Sequence, residues 1–253
     1  MQLHLIKDSG RFSHSLADWV TARIVDTLDR QDRFTLVLSG GNTPRALYEG
    51  LAQSPYREQI PWDRLHFFWG DERAVPFEDD RNNAKMAFDT LLSHVGVTAG
   101  QVHRIRTDMA PAAAAEAYEK ILQGYFPDSS PQDRTFDLVL LGMGDDGHTL
   151  SLFPGTEVVH EQKAWVKAYY LQAQQMYRIT LTTTPVNRAS CVAFLATGAG
   201  KAGALREVLE GAPDPDRYPS QLIRPLKGEL HWFVDQPAAS LLRTATLQQS
   251  TES

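Results

Sequence analysis

The sequence predicts an α/β protein with a mostly parallel sheet and helices on both faces. Short, continuously apolar runs alternate with segments of helical period along the whole chain, the pattern of strands spaced by helices. The runs are apolar at successive residues, as strands covered on both faces must be. Glycine-rich polar segments follow several of them directly, at the strand carboxyl ends where such sheets bind ligands.

In "RFSHSLADWVTARIVDTLD" (11–29), Phe12, Leu16, Trp19, Val20, Ile24 and Leu28 recur at three- and four-residue steps, which predicts an amphipathic helix. "FTLVL" (34–38) reads as a buried strand, and "NTPRALYEGLA" restarts a helix with Thr43 as N-cap and Pro44 at the first helical position. "LHFFW" (65–69) is the next strand. "AKMAFDTLLSHV" is helical, with Phe88, Leu91, Leu92 and Val95 on one side, and "APAAAAEAYEKILQGYF" is a helix opened by Pro111. Strands follow at 136–141, 165–170, 177–182, 191–197 and 230–234, and "KAGALREVLEG" is a helix closed by Gly211. "PDSSPQDR" and "APDPDRYPSQ" read as surface connectors, so one domain over 1–253 is expected, with a polar, frayed tail over 243–253.

The 253 residues, 42% hydrophobic and 22% charged, are ordinary for a soluble globular chain, and a net charge of −6 argues against a nucleic-acid surface. A local cluster of cations can still bind a small anion. No secretory signal pattern opens the chain and no apolar run nears membrane-spanning length, so a cytoplasmic location without membrane or nucleic-acid partners is expected. Cys191 is the lone cysteine, sits in a strand-like run, and reads as a small buried hydrophobe.

Four strand ends carry candidate chemistry. Ser39-Gly40-Gly41 leads into a helix start, where backbone N–H groups and the helix dipole favour an anion; the bland alternative is a tight turn with a cap. Gly70-Asp71-Glu72-Arg73 sets carboxylates beside an arginine, for acid/base work and anion binding, against a plain solvated loop. "GMGDDGHTLSLFP" (142–154) spells a dinucleotide-type glycine pattern. Asp145 and Asp146 would repel a pyrophosphate, however, and "WVKAYY" does not end in the expected acid. The alternative there is that Gly147 stands His148 at the strand terminus with Asp146 near enough to set its tautomer or charge. Arg178 in "YRITLT" needs a partner, which a bound anion would supply, and Lys201 follows Gly198-Ala199-Gly200. His66 and His231 fall within strand patterns, while His94, His103 and His160 read as surface residues. No spacing suggests a zinc site, so no metal is expected. So many cations at separate strand ends suit a phosphorylated small molecule better than a neutral sugar.

In this order, "SGGNTP" (39–44), "WGDERAVP" (69–76), "NNAKMAFDTLL" (82–92), "GMGDDGHTLSLFP", "RITLT", "GAGKAGAL" (198–205) and "YPSQL" (218–222) resemble the motifs of the 6-phosphogluconolactonase family over nearly the whole chain. The resemblance implies a Rossmann-like fold similar to that of glucosamine-6-phosphate deaminases. It implies hydrolysis of 6-phospho-D-glucono-1,5-lactone in the oxidative pentose phosphate route, without cofactor, by a monomer or weak homodimer. His148 would act as general base, oriented by Asp146 or alternatively by Asp71. Ser39, Gly40, Gly41, Asn42, Thr43, Arg73, Asn83, Arg178 and Lys201 would bind substrate, one cation facing the oxyanion. Ser39 and Ser151 lack a nucleophile elbow and are disfavoured as nucleophiles. The deaminases resembled carry a glutamate where this chain has Phe153 and a tyrosine where it has Arg73. Asn42 and Asp145 depart from the serine or threonine and the proline that the family resemblance leads one to expect.

Overall fold

In chain order the computed structural model runs β1 (Gln2–Ile6), α1 (Phe12–Leu28), β2 (Phe34–Leu38), α2 (Asn42–Leu51), α3 (Tyr56–Gln59), β3 (Leu65–Trp69), β4 (Asp71–Arg73), α4 (Asn83–Ala87), β5 (Val102–His103) and α5 (Pro111–Tyr125). It continues through β6 (Leu138–Gly142), β7 (Val166–Leu171), β8 (Met176–Leu181), α6 (Thr183–Val186), β9 (Cys191–Ala196), α7 (Ala202–Glu210), β10 (Glu229–Asp235) and β11 (Thr251–Glu252). The structure describes residues 1–127, 134–243 and 246, and the backbone alone of 251–252. Most of the "PDSSPQDR" connector and of the 243–253 tail therefore lies outside the described residues.

Eight strands form one sheet in the order β11-β1-β10-β9-β6-β2-β3-β5, parallel at every registered pair. Every residue of β2 and β9 is buried, so both faces of the sheet centre are covered. Between β2 and β6 the connections reverse direction. From β2 the chain proceeds outward to β3, and from β6 it proceeds the other way to β9 and β10. Loops diverge at such a switch point and open a crevice beyond the strand carboxyl ends.

Where the strands part, their last backbone groups lose ladder partners and need others. Two buried tyrosines supply them. The Tyr48 hydroxyl of α2 accepts from Ser39 N at 2.9 Å and donates to Ser39 O at 3.0 Å. The Tyr118 hydroxyl of α5 does the same for Trp69, at 2.8 and 3.0 Å.

Sequence periodicity did not foresee a second sheet. The runs at 165–170 and 177–182 form an antiparallel hairpin, β7–β8, and join β4 in a three-stranded sheet, not the main one. β3 passes into β4 through Gly70, whose N–H donates to Leu38 O. A Cβ on Gly70 would lie 2.6 Å from Leu150 Cδ2, so a side chain there would displace the tip of Leu150. The helix after β2 begins at Asn42, two residues before the expected Pro44. Gly41, at φ 105°, occupies the cap position, and Thr43 Oγ1 instead bonds Thr197 Oγ1 at 2.7 Å. The helical stretch 84–95 is α4 followed by a π turn over Phe88–Leu92.

Candidate active site

Four neighbouring strands, β9, β6, β2 and β3, deliver the loops that line a pocket of about 190 Å³. Ser39, Gly40 and Gly41 come from the end of β2, and Asp71 and Arg73 from β4. Gly142, Met143, Gly144, His148 and Leu150 come from the end of β6, and Lys201 from the turn after β9. Asn83 and Arg178 complete the lining. Residues far apart in sequence are thus gathered because their strands are adjacent.

His148 Nδ1 lies 2.6 Å from Asp146 Oδ1, and His148 N donates to the same oxygen at 3.1 Å. A carboxylate only accepts, so Nδ1 carries the hydrogen, and in the neutral imidazole Nε2 is the nitrogen with the lone pair. Burial raises the Asp146 carboxyl, but the bond to His148 and its charge outweigh that and hold it below the usual range. The dyad fits only because residue 144 is glycine: a Cβ there would stand 2.1 Å from His148 Nδ1 and 2.4 Å from Asp146 Oδ1. Gly147, at φ 81°, makes the turn between the two partners. Phe153 stacks on the imidazole, ring centroids 3.9 Å apart at 22°, and the Arg178 guanidinium lies 5.6 Å from the same ring.

Asp71, proposed from sequence as an alternative partner for His148, has other partners. Its Oδ2 accepts from Ser151 Oγ at 2.6 Å and from Arg178 Nη2 at 3.0 Å, while Arg178 Nε donates to Ser151 Oγ at 2.8 Å. Arg178 therefore does not depend on a bound anion for neutralisation; the buried Asp71 carboxylate provides it. Ser151 is fully buried with its hydroxyl hydrogen committed to Asp71, which leaves no free nucleophile there. The loop reaches this position through Leu150 at φ 55°, an uncommon backbone state for a residue with a side chain.

Arg73 sits opposite Arg178 in the antiparallel β4–β8 register. Burial draws the Arg178 guanidinium below its ordinary range; Asp71 opposes that shift and Arg73 adds to it. Arg73 Nη1 donates to Arg81 O at 2.8 Å, and its buried Nε has no hydrogen-bond partner. Lys201 Nζ meets Asp145 Oδ1 at 2.5 Å, so the aspartate that departs from the expected proline engages the pocket's third cation from its exposed side.

Asn83 is buried, and its Nδ2 donates to Asp71 O at 2.9 Å. A Cβ on Gly40 would lie 2.0 Å from Asn83 Oδ1, so that glycine admits Asn83 into the pocket wall. Asn42 and Thr43 lie beyond the lining residues.

The family model described as glucosamine-6-phosphate isomerases/6-phosphogluconolactonase matches residues 7–232. The chain belongs to that family. A 6-phosphogluconolactonase from Synechocystis is 40% identical over 225 residues, 88% of this chain and 91% of that protein. The crystal structure of the Thermotoga maritima 6-phosphogluconolactonase matches with a TM-score of 0.79 at 30% identity, over 92% of this chain and 99% of that one. A monomeric glucosamine-6-phosphate deaminase also reaches 0.79, at 21% identity and over 95% and 100% of the two chains, which shows the common fold.

Within this member of the glucosamine-6-phosphate isomerase/6-phosphogluconolactonase family, three roles are not apparent in the sequence: Glu72 as a buried acceptor of backbone N–H groups outside the pocket lining, Ser151 as an organising hydroxyl, and Phe153 as a packing partner of His148. The first is legible only as an acid inside the Gly-Asp-Glu-Arg loop; the others show only once β6 and β8 are side by side. Among the described residues, one group able to ligate metal lies at the other end of the sheet. Cys191, Glu229 and His231 bring ligand atoms within 4.8 Å of one another, though no spacing in the sequence shows it. Burial pushes the Cys191 thiol up to about 12, and Glu229 already pairs with Arg23. Glu229 and His231 also bond each other, and none of the three residues lines the pocket. Among the described residues, no helix is long and apolar enough to cross a membrane.

Proposed function

We propose that the chain is a 6-phosphogluconolactonase, hydrolysing 6-phospho-D-glucono-1,5-lactone to 6-phosphogluconate in the oxidative pentose phosphate route. The observation that carries the reading is the placement of Arg73 directly across from Arg178 in one small pocket. Like charges opposed across a ladder are unfavourable by themselves, and of the two only Arg178 has an ion-pair partner among the described residues, Asp71. A dianionic phosphoryl group supplies the missing charge, with Lys201 and the Gly40–Gly41 turn beside it.

In this reading a water molecule adds to the lactone carbonyl carbon while His148 Nε2 takes its proton. The tetrahedral intermediate then collapses, the bond from that carbon to the ring oxygen breaks, and His148 returns the proton to the departing oxygen. Asp146 holds Nδ1–H, fixing the tautomer and stabilising the transient imidazolium. A pocket cation facing the oxyanion can contribute on the order of 3 kcal/mol. An ester substrate is activated already, so the pocket's own residues suffice for the cycle.

The deaminase reaction is the reading to be weighed against this one. Phe153 fills the place beside His148 with an apolar ring, where that chemistry calls for a proton-transferring acid. The test is lactone consumption measured above its spontaneous hydrolysis, alongside ammonia release from glucosamine 6-phosphate. Accelerated lactone loss without ammonia is expected; the reverse pattern overturns the assignment.

A further inference from the structure

Glu72 lies between two pocket residues, Asp71 and Arg73, yet does not line the pocket and is completely buried. Its carboxylate accepts three backbone N–H bonds: Oε1 from Arg73 N at 2.9 Å and Asn83 N at 2.7 Å, and Oε2 from Ala84 N at 2.9 Å. No salt bridge to it is found among the described residues. A buried carboxylate without a counter-charge is costly, and here the three N–H groups it gathers are what offset that cost.

Those groups belong to two segments separated by the loop 74–82. Arg73 ends β4, while Asn83 and Ala84 begin α4. From Asn83 the constraint spreads further, since its side chain bonds the Asp71 carbonyl and occupies the space above Gly40. Arg73 in turn reaches back to the loop through the Arg81 carbonyl. One carboxylate therefore fixes the spacing between an arginine and an asparagine on opposite sides of a chain excursion, and through the asparagine the glycine turn after β2. The His148–Asp146 pair is held by contacts within its own loop and shares none of these bonds.

We propose that Glu72 is a positioning residue that sets the affinity of the pocket for its phosphorylated ligand, by clamping Arg73 and Asn83 in one geometry. The inference rests on the lactonase reading and adds a residue to it. Glu72 touches no substrate and moves no proton. It holds the anion-facing wall, so its loss should weaken binding and leave the proton-transfer step in place.

The test compares the wild-type chain with Glu72→Gln and Glu72→Ala, through KM, kcat and the calorimetric Kd for 6-phosphogluconate. Gln retains Oε1 for Arg73 and Asn83 but turns an amide N–H against the Ala84 N–H; a rise of about 3-fold in KM and Kd is expected. Ala removes all three acceptors, and about a 10-fold or larger rise in both is expected, with kcat changed less than about 3-fold. A lowered melting temperature with unchanged KM and Kd would overturn the proposal, as would a fall in kcat at constant KM. Should the Ala variant fail to fold, the Gln variant decides by the same criteria. The calorimetric arm needs no turnover: a wild-type chain that binds the sugar acid without hydrolysing lactone refutes the lactonase reading while the clamp is still judged on Kd. A chain that neither binds nor hydrolyses refutes both.

Discussion

Arg73 of β4 stands directly opposite Arg178 of β8, and both guanidinium groups border one pocket. The two differ in how they are held. Arg178 is buried and tied to Asp71 and Ser151, whereas Arg73 is only half-buried and its guanidinium is anchored through Nη1 to a loop carbonyl. The first is a fixed part of the wall, and the second has hydrogen-bonding capacity to spare for a ligand.

That difference separates the two arginine variants. Arg73→Met removes a ligand contact and relieves like-charge repulsion, so KM for the phosphorylated lactone should rise roughly 10- to 100-fold with little change in stability. With an unphosphorylated lactone the same variant should match wild type. Arg178→Met strands the buried Asp71 carboxylate and should cost about 3–5 kcal/mol of folding free energy in urea titration. Equal stability loss in the two variants would contradict the assignment.

Gly144→Ala is a steric test of the dyad. The new methyl would occupy the space of His148 Nδ1 and Asp146 Oδ1. A fall in kcat of about 100-fold or more is expected, approaching that of a His148 deletion, with the melting temperature nearly unchanged because both displaced side chains border solvent. Product affinity, measured by calorimetry, should hold.

Tyr118→Phe removes the hydroxyl that closes the end of β3. Trp69 N–H and C=O would then be buried without partners, and a loss of about 1–3 kcal/mol is expected in denaturant melts. The variant should fold and keep its KM. A loss below a few tenths of a kcal/mol would show that water replaces the hydroxyl.

Glu72 also carries a pH signature. Burial raises its carboxyl to about 7; the three N–H bonds pull down and Asp71 pushes up. A group whose pKa is raised on folding stabilises the native state fully below its unfolded value of about 4.5 and loses that contribution as pH rises through 7. The urea midpoint of wild type, relative to Glu72→Gln, should therefore fall between about pH 4.5 and 7 and level off above. A difference independent of pH would mean that the carboxyl ionises normally.

The sequence was most legible where apolar runs were continuous. β2, β3, β9 and β10 are read from composition alone, because central parallel strands are buried on both faces. β1 passed unnoticed because buried His4 interrupts its apolar pattern, its ring nitrogen satisfied by His231. β4 is only Asp-Glu-Arg, and nothing local in three charged residues announces a strand. Its partnership with β8, on which the arginine pair depends, is a long-range fact. The pocket residues were legible by position, at strand ends. Their bonding was legible only in part: Asp146, two residues before His148, is its expected partner, whereas the tie of Asp71 to Arg178 and Ser151 depends on the β4–β8 pairing. Asn42 and Thr43 are not among the lining residues; Gly41, at φ 105°, caps the helix two residues before the expected Thr43.

The central claim, a phosphate-anchored lactone hydrolysed with His148 as base, is tested most directly by the hydrolysis rate of freshly made 6-phosphogluconolactone above its spontaneous rate. Wild type and His148→Ala should be compared at saturating substrate. The account predicts strong acceleration by wild type and a loss of about 100-fold or more in the variant, with product affinity retained. A variant that hydrolyses the lactone as fast as wild type would contradict it.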